Sequence, residues 1–360
     1  MTKTDAPVAA ITVRELRESD AERWNRFLTE HPDSNLYHTL RWRDFVREVF
    51  GHQPLYLLAE SGGKVAGVLP MFLVKAPLLG SKLISMPYDI GSGGALASDA
   101  ATEFALVQRA VELANHIAVD YIQLRYSSLQ PELETLGFQP SDPVIISDME
   151  IRGEEQHLWS KVKDSERRAV MQAQRRGLVV REGRSLEDFR DFEQIILRLF
   201  REFGTPPYGP RYFETLWRKM HASGDARIVL AHVERKCVAG LLLFCSGHIL
   251  IAKIGGCLPE ALPVRATAAL YWRSIQLAIQ LGRRKLSWGT SSHDQSGLIK
   301  FKERWGAQSH RVAVYSMAIR GKIPDLARYY DSTGIERRIW RKLPIPLTRL
   351  GGAALSRWFC

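Results

Sequence analysis

The sequence of 360 residues is poor in cysteine and lacks the short motifs that identify most metal and cofactor sites. Its four cysteines form neither a CxxC pair nor a cysteine–histidine pattern with zinc-ligand spacing. A P-loop, a GxGxxG turn and an HExxH helix are also missing. We therefore predict no metal site and no permanently bound cofactor, and reduced cysteines favour a cytoplasmic protein.

Long apolar runs are missing as well. No segment reaches the roughly 18 apolar residues that a membrane-spanning helix needs, and Met1–Ala10 lacks the basic-then-apolar order of a signal peptide. Acidic residues are also in deficit, 39 against 50 basic ones, which gives a net charge of +11. That excess favours anionic partners such as phosphates, nucleic acid or acidic lipid, without choosing among them.

A near-repeat indicates the internal architecture. Residues 57–72 and 229–244 share an apolar stretch, a polar turn, a lysine, Ala-Gly and a second apolar stretch, which is typical of a hairpin. Each copy leads through a further strand to a helix, predicted at 101–119 and 265–281, and then to another strand. The order predicts two copies of one α/β unit.

Between the copies the chain is basic. Residues 158–176 predict a basic helix, and 161–184 carry eight basic residues against three acidic ones. A second helix over 186–203 has an apolar stripe that favours a core role. The turn 204–210, with three prolines and two glycines, is a rigid loop. Thr205 and Tyr208 within this turn, and Arg211 directly after it, either line a pocket or pin two helices together, and the sequence leaves both alternatives open.

The tail, 320–360, combines nine basic residues with three acidic ones and interleaved aromatic and aliphatic residues. This composition fits a helix at an anionic membrane surface, through 337–359. It fits equally a tail that packs on its own domain with extended arginines. We favour packing, because Pro344 and Pro346 interrupt a continuous helix.

The segment 286–306 is the strongest candidate for chemistry. It predicts a strand, a loop of small polar residues and a basic, aromatic helical turn that carries Lys300, Phe301, Lys302 and Trp305. A cation beside a small polar loop suits an anionic or carbonyl-bearing substrate, although a solvated turn is an equally good interpretation of the spacing alone. Adjacent Ser292-His293-Asp294 cannot form a catalytic triad, because triad members converge from separate segments. His293 remains an outside candidate for a base.

The sequence resembles the Fem-like branch of the GNAT acyltransferase superfamily, close to the Fem-related proteins of PEP-CTERM/exosortase and exopolysaccharide systems. The resemblance runs over nearly the whole chain, and its most specific element is Phe-Lys-x-x-Trp-Gly-Ala. The segments that carry it are Tyr37–Arg43, Ile84–Tyr88, Gly93–Leu96, Ser165–Leu178, Gly204–Tyr208, Trp288–Thr290, Gly297–Ala307 and Trp340–Leu347.

The resemblance implies a tandem pair of GNAT folds, of α/β class, with a cleft between them. We expect domains at 1–153 and 154–320, the second including the basic helix, and a tail at 321–360. In the family the lysine after phenylalanine, here Lys302, lies near the reacting carbonyl, where its charge stabilises the developing oxyanion, and Phe301 supports it. Candidate substrate-binding residues are Thr205, Tyr208, Arg211, Trp288, Gly289 and Lys300.

The implied activity is transfer of an acyl or aminoacyl group to a cell-envelope precursor, either a small molecule or a lipid-linked one, at or near the inner face of the membrane. The donor is acyl-CoA or aminoacyl-tRNA, bound as a cosubstrate. Two departures from the family leave both donors open. No coiled-coil arm lies between the copies, and 262–269 stands in place of the acyl-CoA signature Arg/Gln-x-x-Gly-x-Gly/Ala. The alternative function is a non-catalytic envelope-assembly or nucleic-acid-binding protein.

Overall fold

The computed structural model describes residues 10–77, 80–89, 93–141, 143–323 and 335–358. Within these ranges the first of two compact units holds 10–47, 51–141 and 314–323, and the second holds 48–50, 143–313 and 335–358. Apart from Ala10, the N-terminal segment that we examined for a signal peptide lies outside the described residues.

The strands, in chain order, are β1 (Thr12–Glu15), β2 (Gln53–Pro54), β3 (Leu57–Ser61), β4 (Lys64–Leu69), β5 (Phe72–Ala76), β6 (Gly80–Ile84), β7 (Leu96–Ala97), β8 (Tyr121–Arg125), β9 (Gln139–Pro140), β10 (Val144–Glu150), β11 (Leu178–Gly183), β12 (Ala226–Val233), β13 (Lys236–Ser246), β14 (Ile249–Cys257), β15 (Lys285–Ser292), β16 (Gln308–Val312) and β17 (Val314–Ala318). The α-helices are α1 (Ala21–Glu30), α2 (Leu40–Phe50), α3 (Ala100–Ile117), α4 (Glu132–Thr135), α5 (Glu155–Lys161), α6 (Asp164–Arg175), α7 (Leu186–Phe203), α8 (Pro210–Thr215), α9 (Ala266–Gln280), α10 (Ser296–Arg304), α11 (Ile335–Lys342) and α12 (Ile345–Leu355).

Two sheets form the first unit, one in the order β1-β3-β4-β7 and one in the order β2-β5-β6-β8-β17-β9. Asp99 precedes helix α3, and its carboxylate accepts a hydrogen bond from the backbone N–H of Thr102 and so caps the first turn. The helix packs closely on β4 because Gly67 has no side chain: a Cβ there would lie 2.9 Å from both Leu106 and Thr102. The chain then returns as β8, which pairs in parallel with β6.

The second unit is built on one seven-stranded sheet in the order β11-β12-β13-β14-β15-β10-β16. Buried residues of α6 and α9 pack with Val229, Ala231 and Leu241 of the sheet in one core cluster. Because neighbouring residues of a strand point to opposite faces, Gly240 faces the other way, where a Cβ would lie 2.8 Å from Phe192 of α7. Helices therefore cover both faces of this sheet.

Both predicted hairpins are present. In the first, β3 pairs with β4 across Gly62 and Gly63, which both have positive φ and so allow a tight turn. In the second, β12 pairs with β13. In each copy a helix then joins two parallel strands, α3 between β6 and β8 and α9 between β14 and β15. The prediction of two copies of one α/β unit is confirmed.

Two helix predictions need correction. The basic helix expected over 158–176 is split into α5 and α6, because Val162 and Lys163 adopt extended backbone angles. Val162 is buried at this break, so packing fixes a bend that neither glycine nor proline signals. The stripe of α7 is core as expected, with the exception of Phe203, which is 51% exposed.

Two strands belong to units other than those expected. We placed 144–150 in the first domain, whereas β10 lies in the second unit's sheet between β15 and β16. We placed 314–318 in the second domain, whereas β17 pairs with β8 and β9 of the first unit. Partners so distant in the sequence leave no local signal, so the boundaries of the units differ from those expected at 153 and 320.

The described part of the tail packs on its own unit. Arg341 donates from Nε to the carbonyl of Glu202, and Arg349 pairs with Glu193 of α7 at 3.0 Å. Gly352 lies so close to Pro207 that a Cβ there would overlap its backbone. The packing alternative is thus confirmed for 335–358, while 324–334, Phe359 and Cys360 lie outside the described residues. No helix in the described ranges is both long enough and apolar enough to span a bilayer.

Candidate functional site

Lys302 lies on α10 and is buried, with 3% of its surface exposed. Its Nζ donates to the carbonyl oxygens of Gly289 at 2.9 Å and Thr290 at 3.1 Å and to the Ser291 hydroxyl at 2.8 Å. Burial lowers the pKa of Lys302 to about 8, against the opposing effect of the Asp148 charge. Because an ammonium has three N–H donors, these three acceptors use all of them.

The acceptors of Lys302 sit on an irregular stretch of β15. Ile146 of β10 pairs with Thr290 and Asp148 pairs with Ser287, so β15 has one residue more than its partner over this interval. The extra residue forms a β-bulge at Gly289, whose φ of +71° is left-handed. Lys302 therefore holds a distorted strand segment in place from the adjoining helix.

An aromatic cluster covers the same strand. Trp288 stacks on Tyr271 with ring centroids 4.2 Å apart, and Phe301 meets Tyr271 edge-on at 5.1 Å. Trp305 is fully buried beside them, 5.3 Å from Tyr271, and the Arg304 guanidinium lies over the Phe301 ring. Burial raises the pKa of Tyr271 to about 12. Phe301 and Trp288 are thus packing residues, and their ring contacts with Tyr271 hold β15 in position next to the bulge at Gly289.

The parallel strands β14 and β15 separate beside this cluster. In the described residues they pair over Ile249–Ile251 and Lys285–Ser287 alone, after which β14 continues as Ala252–Cys257. That continuation is partly exposed along its length, and its register with β13 slips by one residue at Lys253. Diverging parallel strands leave main-chain groups along their facing edges with which an extended chain containing amide groups can pair.

A turn and a helix N-terminus adjoin the exposed end of β14. Arg265 precedes α9 in a left-handed backbone conformation, with φ +59°, and no side chain of the described residues caps the helix. Its Nε donates to Gln172 of α6 at 3.1 Å, and Arg176 donates to the Pro263 carbonyl. An uncapped helix start with two arginines beside it suits a phosphate group.

Three of the residues proposed for substrate binding lie on another part of the second unit. The Thr205 N–H donates to the carbonyl of Phe200 at 2.9 Å, which closes the end of α7. Tyr208 stacks on Tyr212 at 4.2 Å and also packs near Phe200. Arg211 is exposed. Tyr208 thus contacts both α7 and α8, as the helix-pinning alternative predicts, while a substrate-binding role for the three residues stays a prediction.

The polar loop before α10 is solvent-exposed. His293, Asp294 and Lys300 are all exposed, and the hydrogen bonds of the loop are local, among them one from the Ser292 N–H to the Gln295 side chain. Of the predicted site residues, the structure therefore brings together Trp288, Gly289, Phe301 and Lys302. Lys300 lies on the outer side of the same helix.

The parallel strands β6 and β8 of the first unit differ from β14 and β15, because a side chain connects the segments where the two strands end. Met86 and Tyr88, just after β6, both have left-handed backbone angles, with φ of 54° and 70°. Arg125, at the end of β8, is 4% exposed and donates to the carbonyls of Met86 and Asp89, the latter at 2.6 Å. The Arg125 N–H also bonds to the Ser85 hydroxyl. An arginine of the chain itself thus binds the segment that follows β6 back to β8.

The sequence did not single out Tyr271, Arg265 or Arg125. The apolar pattern of α9 predicts a core role for Tyr271, and its contacts with Trp288 and Phe301 depend on long-range pairing. A usable signal existed for Arg265, since it occupies the turn where the family signature calls for glycine. Arg125 carries no signal, because its partners are two main-chain carbonyls and the side chain of Gln123, a residue of its own strand.

Residues 160–303 match the family model of the acetyltransferase (GNAT) domain. The fold is similar to the crystal structure of FemX, with a TM-score of 0.70 and 15% identity, covering 86% of this chain and 98% of that one. It is also similar to a tandem GNAT protein from the clavulanic acid biosynthesis pathway, with a TM-score of 0.58 and 13% identity, covering 88% and 100%.

A third similar structure is the C-terminal domain of a putative lysylphosphatidylglycerol synthetase from Agrobacterium fabrum, with a TM-score of 0.55 and 12% identity, covering 88% of this chain and 96% of that one. No curated protein matches the sequence. The predicted tandem GNAT fold and the resemblance to Fem-like GNAT proteins are confirmed. These findings support an acyltransferase class.

Proposed function

We propose that this protein is an acyl- or aminoacyltransferase that modifies a cell-envelope precursor. The proposal rests on the tandem GNAT fold and on the match of residues 160–303 to the GNAT acetyltransferase domain. The acceptor is an amine or hydroxyl of a peptidoglycan or exopolysaccharide building block. The resemblance to Fem proteins, which aminoacylate peptidoglycan precursors, supports this acceptor class.

The separation of β14 from β15 carries the proposal. An acyl-CoA has an extended arm with two amides, which can pair with the main chain of the diverging strands, and phosphates that suit the start of α9. In the first unit the corresponding strands are bridged by Arg125. We therefore assign the donor to the second unit.

Lys302 is the proposed oxyanion-stabilising residue. The acceptor amine attacks the acyl carbonyl carbon, and the carbonyl oxygen becomes an oxyanion that a nearby cation stabilises. The intermediate collapses with loss of the CoA thiolate, while the amine proton passes to solvent. With an aminoacyl-tRNA donor the leaving group is the ribose alkoxide, which takes up a proton from solvent to become the tRNA hydroxyl. For Lys302 to contact the oxyanion, its Nζ must give up one of its three hydrogen bonds and donate to the oxyanion instead. The bond to the Ser291 hydroxyl is the one that breaks most readily, because rotation of the Ser291 side chain moves this acceptor away.

Calorimetric titration with acetyl-CoA, longer acyl-CoAs, free CoA and charged tRNA tests the proposal directly. Saturable binding of an acyl-CoA, with product formed on a UDP-linked envelope precursor, supports it. A tRNA complex that survives physiological salt identifies the aminoacyl donor instead, whereas loss of binding on modest salt addition marks nonspecific phosphate attraction. The basic segment 161–184, with eight basic residues against three acidic ones, makes this comparison necessary.

Arg265 gives a prediction for donor binding. Arg265→Gly removes a charge from the phosphate site and relieves a left-handed conformation that costs a non-glycine residue about 1–2 kcal/mol. We expect the Kd for acyl-CoA to rise about tenfold, while the loss of the Gln172 bond keeps the gain in stability small. Titration and urea unfolding of the same preparation measure both, and Arg265→Lys, which keeps the charge, is the control. An unchanged Kd for acyl-CoA would contradict the proposal that this turn binds a phosphate of the donor.

The tail packs on its own unit through one side, and its exposed side supports a peripheral membrane location for the same enzyme. Residues 337–358 contain six basic residues and no acidic one, and Ile339, Leu347 and Leu350 are exposed by 57%, 54% and 72%. Exposed aliphatic side chains among basic residues suit a surface of anionic lipid. We expect Leu347→Glu with Leu350→Glu to reduce co-sedimentation with phosphatidylglycerol vesicles at least tenfold. Equal retention by phosphatidylcholine vesicles, or no effect of the pair, would contradict a lipid-facing tail.

A second function, a non-catalytic assembly protein that keeps the fold, is favoured by one observation. The three donors of Lys302 are all satisfied within the chain, as expected for a structural residue. If neither acyl-CoA nor aminoacyl-tRNA binds and no precursor is modified, this second function replaces the first.

A further inference from the structure

Three residues with metal-binding side chains converge in the second unit, apart from the residues discussed so far. They are Asp191 of α7, His232 of β12 and Cys237 of β13. One ligand atom from each, a carboxylate oxygen, an imidazole nitrogen and the thiol sulfur, lies within 4.8 Å of the other two.

The fold builds this cluster in a specific way. His232 and Cys237 are directly paired residues of the antiparallel hairpin β12–β13, so their side chains lie on one face of the sheet. The register slips by one residue between Ala231 and His232, which turns the end of the hairpin. Helix α7 packs on both strands and supplies Asp191.

The protonation of these residues suits ligation by the imidazole. Burial lowers the pKa of His232, with the Arg181 charge acting in the same direction, so the ring is neutral at pH 7 and has a free lone pair. His232 Nδ1 is buried and has no hydrogen-bond partner among the described residues. Burial raises the pKa of Cys237 to about 11, and its thiol lies 3.7 Å from the Ala239 carbonyl.

The same contacts exclude a thiol–imidazole–carboxylate relay. A relay requires hydrogen bonds from the imidazole to both neighbours, and within the described chain Nδ1 has none. The adjacent charges, Arg181 and Asp188, form an ion pair with each other. Arg181 also interacts electrostatically with Asp191, which is partly exposed to solvent.

We propose that Asp191, His232 and Cys237 bind one divalent ion of the zinc class. Nitrogen, sulfur and oxygen are the ligand types that zinc takes, and three protein ligands leave a fourth position for water. Tetrahedral bonds of about 2.0–2.3 Å require the ligand atoms to approach to about 3.5 Å, which side-chain rotation provides. Binding converts the Cys237 thiol to a thiolate and releases one proton.

Titration of chelator-treated full-length protein with Co2+ tests the site. A bound thiolate gives a cobalt charge-transfer absorption, and we expect it to saturate at one ion per chain and to disappear on addition of Zn2+. Cys237→Ser should abolish the band, and His232→Ala and Asp191→Asn should each weaken binding at least tenfold. Cys245→Ser and Cys257→Ser are the matched controls, because both cysteines lie on the same sheet outside the cluster.

Circular dichroism of each variant checks that the fold is retained. Proton release that accompanies wild-type binding and is absent in Cys237→Ser is the second readout. The proposal is overturned if wild-type protein shows no thiolate band at micromolar Co2+, or if the band survives in Cys237→Ser. Neither result bears on acyl transfer, since the cluster is separate from Lys302.

Discussion

Replacing Lys302 with methionine is expected to destabilise the protein by about 2–4 kcal/mol and to reduce turnover about 100- to 1000-fold. The stability loss follows from the three acceptors on β15, two carbonyls and a hydroxyl, which remain buried without their donor. Methionine has nearly the same length, so it leaves little cavity. The activity loss follows from removing a cation beside the developing oxyanion.

Lys300→Met is the matched control for this prediction, because Lys300 lies on the same helix, is exposed, and loses the same charge. Its unfolding free energy should change by no more than about 0.5 kcal/mol. Urea unfolding and turnover of both variants separate the two roles. If Lys302→Met is destabilised but keeps full turnover per folded molecule, Lys302 is structural and the proposed mechanism fails.

The pH dependence of the rate gives a further check on Lys302. Its pKa is lowered to about 8, so the charged form is lost as the pH rises through 8. If the charge stabilises the oxyanion, kcat should fall above pH 8 in the wild type. Lys302→Arg, which remains charged throughout, should lose that descending limb. The free energy of unfolding should change with pH in the opposite direction to kcat. Above pH 8 the unfolded state binds more protons at this position, so stability from this group rises with pH until the unfolded pKa is passed.

Local signals in the sequence were sufficient for the repeat but not for the strand order. The hairpins follow from polar turns flanked by apolar residues, with Gly62 and Gly63 in the first turn and Glu234 and Arg235 in the second, and the helices follow from their apolar periodicity. The placement of β10 and β17 depends on pairing with strands that lie far away in the chain, and no local pattern encodes it. The break between α5 and α6 at Val162 was missed for a related reason, since burial produces it without a helix-breaking residue.

The site residues also fall into those that a local motif identifies and those that depend on long-range pairing. Lys302, Phe301 and Trp288 belong to one continuous segment, so a motif was sufficient to select them. The bulge at Gly289 determines what Lys302 touches, and a bulge depends on the neighbouring strand. Asp191, His232 and Cys237 were not selected, because their spacing matches no ligand motif and the hairpin together with α7 brings them together.

Gly255→Ala is expected to cost about 3 kcal/mol of stability and to weaken donor binding at the same time. Gly255 lies in β14, where it pairs with Leu241 of β13. A Cβ at this position would overlap the Gly240 carbonyl oxygen and lie 2.7 Å from the Leu241 Cα. Since both are backbone atoms, no side-chain rotation relieves the clash, and the strands must move apart. The exposed edge of β14, assigned here to the donor, moves with them.

Gly256→Ala is the control, since its Cβ would meet the Leu199 side chain at 3.0 Å. A flexible side chain can yield, so we expect a cost of about 1 kcal/mol and little change in donor affinity. Gly297→Ala, which meets nothing within 4 Å, should be near neutral. Unfolding and acyl-CoA titration of the three variants test the assignment of the donor to β14. Donor affinity that is unchanged in folded Gly255→Ala would contradict it, because the clash displaces this edge before any other part of the sheet.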